Sequence, residues 1–392
     1  MPVLFTSFPR TDASPKRQSE ELFVFYERNS RPEFETYRSL LGRWLAEMPP
    51  AHAADLASQM KGSGDLGFES GLIELVMHAS LVRLGHRVEI HPTLNGNGNR
   101  PDFLIRSADG EPRAYIEVTT INTDTKSVAD EQREAVIQDR LNAVLLPEDM
   151  RLGYHVEKRG PHSPSLNRLV TQVEIWARTE AEAARSGATV KRIFAVGGWE
   201  IGLRLIPGFK PRLGGRQIAW AMQRVISMDT AEPAGALMRA LDRKATRYGQ
   251  LGLPYIIVVA DRTEKLAYLA GDLAENVAGG LFGPEITEDV KYSGGRREMR
   301  HRRGDGFWMR KGRPNHSNVS AVLVFPRTDI WKLREEGLQP ILARNPFAVC
   351  PLPQEVSLPF RELIMSEEEG TVRPGQLLGD ILGLPVPWPP EV

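Results

Sequence analysis

Residues 254–260 read Pro-Tyr-Ile-Ile-Val-Val-Ala, an apolar run with no polar alternation. A strand with one wet face alternates; a run like this marks a strand buried on both faces, at the centre of a sheet. A sheet with such a strand must be covered on both sides, which constrains the chain to layered α/β architecture. The preceding residues, Gly235 to Tyr248, carry a helical pattern, so a helix-to-central-strand crossover is predicted here. At 392 residues the chain is long enough for one catalytic-sized core with flanking elements.

Other segments follow from spacing. Phe34, Tyr37, Leu40, Leu41, Trp44 and Leu45 predict an amphipathic helix over 34–47, stopped at Pro49-Pro50, within a helical N-terminal arm covering 1–62. Gly62-x-Gly64-x-x-Gly67 fits the dinucleotide-loop pattern, but a helix-like segment precedes it where a strand is required, so it reads as a hinge. Phe68 to Leu84 predict an apolar helix ended by Gly85, and Arg87 to Pro92 a strand. Asp102–Ser107 and Arg113–Thr120 are β-prone runs joined through Asp109-Gly110, a hairpin signal. Ser163-Pro164 opens a long helix with Leu166, Leu169, Val170, Val173 and Ala177 on one face, and two strands are expected within Lys191–Ile206. Beyond Asp261 one strand, Val319–Phe325, stands out. Ten of the 29 prolines lie after Gln339, which predicts an irregular tail packed on the surface.

Composition narrows the function classes. Fifty basic residues balance fifty acidic ones, so no global field gathers polyanions and any such site must be local. Cys350 is the single cysteine, which excludes an intrachain disulfide and a thiolate zinc cluster. The first residues lack a signal-peptide pattern and no 18-residue apolar run occurs, so a cytoplasmic protein without a membrane partner is expected.

The chemistry concentrates in the hairpin. Residues two apart on a strand share a face, so Tyr115, Glu117 and Thr119 point together, and Asp102 reaches that face if the register is favourable. Two carboxylates on adjacent strands offer hard oxygen donors to Mg²⁺ and leave positions for water and phosphate. Arg100-Pro101-Asp102-Phe103-Leu104-Ile105 followed by Ala114-Tyr115-Ile116-Glu117-Val118-Thr119 resembles the signature of the PD-(D/E)xK nuclease superfamily. Glu74, Met77, Leu81 and Gly85 resemble the same superfamily's acidic-helix spacing. The resemblance implies a restriction-endonuclease-like αβββαβ mixed-sheet core over 63–262, interrupted by an insertion at about 125–230, with a basic and proline-rich region over 263–392. It further implies a divalent-metal-dependent nuclease acting on DNA, with RNA left open, in which Asp102 and Glu117 bind Mg²⁺ or Mn²⁺ and Glu74 assists. Glu69, five residues earlier on the helix, points elsewhere and is held in reserve.

The sequence departs from the signature at Thr119, where the superfamily usually carries lysine. Either cleavage is lost, leaving a nucleic-acid-binding or scaffold module, or another cation fills the place. Lys244 is that candidate: at about 100° per residue it falls within the apolar stripe of Leu237, Leu241 and Tyr248, although a snorkelling side chain fits the same pattern. Between Lys291 and Arg313, the residues Arg296, Arg297, Arg300, Arg302 and Arg303, with Tyr292, Phe307 and Trp308 interleaved, are either a nucleic-acid grip or a solvated basic loop. Asn95 to Asn99 reads as a plain turn or a phosphate-approaching loop, and His78 as a core histidine or a neighbour of Glu74. An ordinary interaction protein with no nucleic-acid partner is the third reading.

Overall fold

The computed structural model describes residues 2–94, 98–121, 128–208, 212–213, 216–217, 220–224, 233–262, 266, 273–292, 295–326, 329–365 and 370–390. The chain forms two compact units, one of residues 1–7, 32–123 and 231–392, the other of 8–31 and 124–230.

The first unit is mixed α/β. Its eight-stranded sheet runs in chain order: β1 (Arg87–Ile90), β2 (Phe103–Arg106), β3 (Pro112–Ile121), β4 (Tyr255–Asp261), β5 (Ala321–Phe325), β6 (Ile341–Arg344), β7 (Arg361–Met365) and β8 (Gly370–Arg373). β1, β2 and β3 form an antiparallel meander, and β4 lies parallel to both β3 and β5. Every residue of β4 is buried, as the unalternating run predicts. The β2–β3 turn closes on Gly110, whose φ of +93° suits only glycine, with Gly110 N–H donating to Ser107 O.

Helices cover the sheet. They are α1 (Pro32–Ala46), α2 (Pro50–Gly62), α3 (Gly64–Arg83), α4 (Pro233–Ala245), α5 (Leu273–Phe282) and the short α6 (Leu378–Ile381). α1 buries the predicted stripe of Phe34, Tyr37, Leu40, Leu41, Trp44 and Leu45. α3 packs on β1 and β3 and against α2, where Gly71 admits Met60: a Cβ on Gly71 would stand 2.5 Å from Met60 Cγ. α3 stops at a Schellman turn, with His86 N–H donating to Leu81 O and Gly85 at φ +84°. α4 packs on β3 and β4, its Leu237 and Leu241 meeting Ile257, Val259 and Val322 in one apolar cluster.

The tail expected to be irregular instead supplies β6, β7, β8 and α6. Each strand is five residues or fewer; Pro346, Pro351, Pro353 and Pro359 sit between β6 and β7 and Pro374 directly after β8, so proline punctuates the strands without interrupting their ladders. The arm expected over 1–62 also divides: α1 and α2 join the first unit, while 8–31 joins the second. Its partners lie far away in sequence, beyond the reach of local periodicity.

The second unit enters the chain between β3 and α4. A helix over Leu166–Arg185 buries Leu169, Val173, Trp176 and Ala177 against a four-stranded sheet ordered 190–196, 199–207, 150–158, 220–224. A helix over Val128–Asn142, not expected from the sequence, anchors the 8–31 segment: Ser19 Oγ donates to Asp139 Oδ2 at 2.5 Å. Among the described residues no helix is long and apolar enough to cross a membrane.

Candidate active site

Asp102 directly precedes β2. Phe103 stands opposite Ile116, so one step back the register sets Asp102 opposite Glu117, and residues opposite each other in an antiparallel pair share a face. Asp102 is pinned from two sides: its carbonyl accepts from His91 N–H at 3.0 Å and its Oδ2 accepts from Val118 N–H at 2.6 Å.

Glu117 is fully buried beside Ile257 of β4. Its Oε1 accepts from Lys244 Nζ at 2.5 Å and from Arg247 Nη1 at 2.9 Å. The Tyr248 hydroxyl lies 2.6 Å from Oε2 and 2.8 Å from the Arg100 carbonyl. A phenol has one proton, and the carboxylate is the stronger acceptor of the two. Burial, then the bond to Glu117, push the Tyr248 pKa up, which keeps that proton on the phenol. Lys244 lies in the last turn of α4, which ends at Ala245; Arg247 and Tyr248 follow in the turn just beyond it, and the three close on a single buried acid.

Glu74 projects from α3 into a cavity of about 330 Å³ that Asp102, Thr119, Lys244, His52 and His91 also line. It makes no hydrogen bond or ion pair among the described residues. Burial, then the charges of Asp102 and Glu117, push its pKa up to about 8, against a smaller opposing pull from Lys244. Burial and Glu117 push Asp102 up to about 7, with Val118 N–H, Lys244 and Arg247 opposing. The acids therefore crowd one another in a poorly solvated place, and a cation there is electrostatically favoured.

The remaining sequence candidates separate. Glu69 ion-pairs with Arg262. His78 is buried behind the site, 6.2 Å from the Phe103 ring, and burial holds its pKa down at about 4, so it is a neutral core histidine. Lys291–Arg313 is not a loop throughout: Glu285–Tyr292 and Gly295–Arg302 pair as a hairpin. Phe307 and Trp308 are 0% exposed and belong to the core, so they offer no stacking surface. Arg302 pairs with Glu275 at 2.5 Å, and Arg303 is exposed, 4.0 Å from Asp305. The side chains of Tyr292, Arg296, Arg297 and Arg300, and residues 95–97 of the asparagine-rich turn, lie outside the described residues.

Sequence reasoning missed four side chains at this site. Arg247 and Tyr248 carried a usable signal, their closeness to Lys244 in the chain, although the helix predicted to reach Tyr248 stops at Ala245 and both lie in the turn beyond it. His52 and His91 carried none: their rings lie 5.4 Å apart, and His91 Nε2 stands 4.0 Å from Asp102 Oδ1 on a backbone with φ +49°. Among the described residues no three His, Cys, Asp or Glu side chains are arranged to enclose a metal ion. Compared with family models, curated proteins and solved structures, the chain gives no significant match.

Proposed function

We propose that this protein is a divalent-metal-dependent nuclease that hydrolyses phosphodiester bonds in DNA, on a restriction-endonuclease-like core made of α3, β1, β2, β3, α4 and β4. The observation that carries the reading is the register of Asp102 opposite Glu117 with Lys244 Nζ 2.5 Å from Glu117, because it supplies the two strand acids and a cation that Thr119 cannot provide. The element order and the parallel β3–β4 crossover support the same core.

The donor set suits Mg²⁺ or Mn²⁺. Asp102, Glu117 and Glu74 offer only oxygen, which hard cations prefer, and their mutual repulsion is what such a cation offsets. Asp102, Glu117 and Glu74 would hold it only once the cation draws them together, because among the described residues no three such side chains are already arranged to enclose a metal ion. Bound there, the cation would polarise a phosphoryl oxygen and acidify water. The chain's own part is positional. Val118 N–H and the His91 bond fix Asp102, Arg247 and Tyr248 fix Glu117, and Lys244, at the cavity wall, offsets charge on the phosphoryl group.

One observation favours a second reading. Both Glu117 oxygens already have partners, so Glu117 also fits as a structural counter-ion in a fold that binds nucleic acid without cutting it. A nicking assay on plasmid and single-stranded DNA with Mg²⁺ or Mn²⁺ separates the two. The nuclease reading expects metal-dependent cleavage that Asp102→Ala abolishes. No cleavage by the wild type with either metal favours the binding module.

A further inference from the structure

Among the described residues, the sheet of the second unit has one face covered by a helix and one, the open face, on which side chains are exposed. Met150, Leu152, Tyr154, Ile201, Leu203 and Leu205 are buried under the 166–185 helix. Their alternates point the other way. On that open face Lys191 stands directly opposite Arg204, both exposed, and Arg204 stands opposite Gly153, where no side chain intervenes. Arg151, two residues from Gly153, adds a third cation, and its buried Nε has no hydrogen-bond partner among the described residues.

Like charges placed directly across a strand pair destabilise it. Among the described residues the nearby acids are paired elsewhere: Glu157 bonds His155 at 2.7 Å, Glu200 faces Lys158 at 3.9 Å and Asp149 holds Arg185 at 2.6 Å. Beside the cations lies a ring that Glu157 holds in place. The His155 ring occupies the space a side chain on Gly202 would need, with a Cβ there only 2.0 Å from Cε1. Ile193, opposite Gly202, is 55% exposed. Cations at one end and a ring with an exposed aliphatic side chain at the other match phosphates and unstacked bases of a single strand. A duplex hides its base faces and cannot use that second end.

We propose that this open face, through Lys191, Arg204, Arg151 and His155, binds single-stranded nucleic acid. The choice of polymer rests on the nuclease reading of the carboxylate site; the cations, without an ion-pair partner among the described residues, do not.

The test is fluorescence anisotropy of a labelled single-stranded oligonucleotide with the full chain in EDTA, so that binding is read without cleavage. Lys191→Ala with Arg204→Ala is expected to weaken binding severalfold and to flatten the plot of log affinity against log salt by about 1.4, about 0.7 for each phosphate no longer neutralised. Lys191→Glu sets an acid opposite Arg204, so it should raise the melting temperature while weakening binding, which separates the effect from misfolding. Lys191→Arg should retain the slope. An unchanged slope and affinity in the double variant, or a duplex of the same sequence bound as tightly as the single strand, overturns the proposal. A protein that binds the strand through this face yet cuts nothing with any metal supports the proposal and overturns the nuclease reading. Cleavage that persists with wild-type binding in the double variant does the reverse.

Discussion

In the proposed nuclease, Lys244 is the residue on which cleavage would turn. Losing a preorganised charge aimed at a transition state typically costs about 10² to 10³ in rate, so Lys244→Met is expected to reduce cleavage by that factor while metal binding survives, read by plasmid nicking beside isothermal titration with Mn²⁺. The fold should tolerate the change. Stripping a buried charge of its partner costs about 3–5 kcal/mol, but Arg247 and Tyr248 remain on Glu117, so the loss in urea unfolding should fall below that range. Glu74 and Asp102 make a pH prediction. Their folded pKa values, about 8 and about 7, lie above the ordinary carboxylate values, so between pH 4 and those values the folded state binds more protons than the unfolded one. Metal-free protein should therefore lose stability as pH rises across that window. Glu74→Gln should melt several degrees above wild type at pH 8 and alongside it at pH 5, measured by thermal scans in EDTA. Equal melting temperatures at pH 8 would contradict the crowding of Glu74 by Asp102 and Glu117.

At the scale of elements, the helix ends and the sheet centre were written locally, and the partners were not. The β4 run, the Asp109-Gly110 turn and the stop at Gly85 could be read because each rests on a few adjacent residues. The juxtaposition of Asp102 and Glu117 could be read because a hairpin register links near neighbours. The short tail strands, the helix over 128–142 and the two cavity histidines could not, since their ordering depends on packing across long stretches of chain. One such long-range packing fixes α4, whose position sets Lys244. A Cβ on Gly280 of α5 would stand 2.9 Å from Leu237 Cδ2 and 3.2 Å from the Ala234 carbonyl. Overpacking costs typically about 1–3 kcal/mol, so Gly280→Val is expected to destabilise by that amount and to lower cleavage further by pushing α4 off β3. Unfolding curves and rates on the same preparation would show both losses together; a stability loss alone would mean that α4 keeps its seat.

For the whole molecule, the second unit has its own core, in which Trp199 is fully buried against the 166–185 helix side of its sheet. Trp199→Ala should cost about 3–5 kcal/mol in that unit, measured by denaturant unfolding. The parallel pairing of β3 with β4 brings a kinetic consequence. Residues 121 and 255 bracket the whole insertion, so the ladder that buries Glu117 closes one of the longest loops in the chain. Closing an unstructured loop costs more entropy the longer it is, by about 0.6 kcal/mol per doubling, and a prefolded insertion shortens it. On the ribosome β3 emerges long before β4, exposing an apolar edge until the intervening residues have been made. The insertion is thus a timer as well as a module: refolding of the central sheet should slow when Trp199→Ala delays the insertion, and a nascent chain halted before residue 255 should present its Glu117 strand unpaired to chaperones.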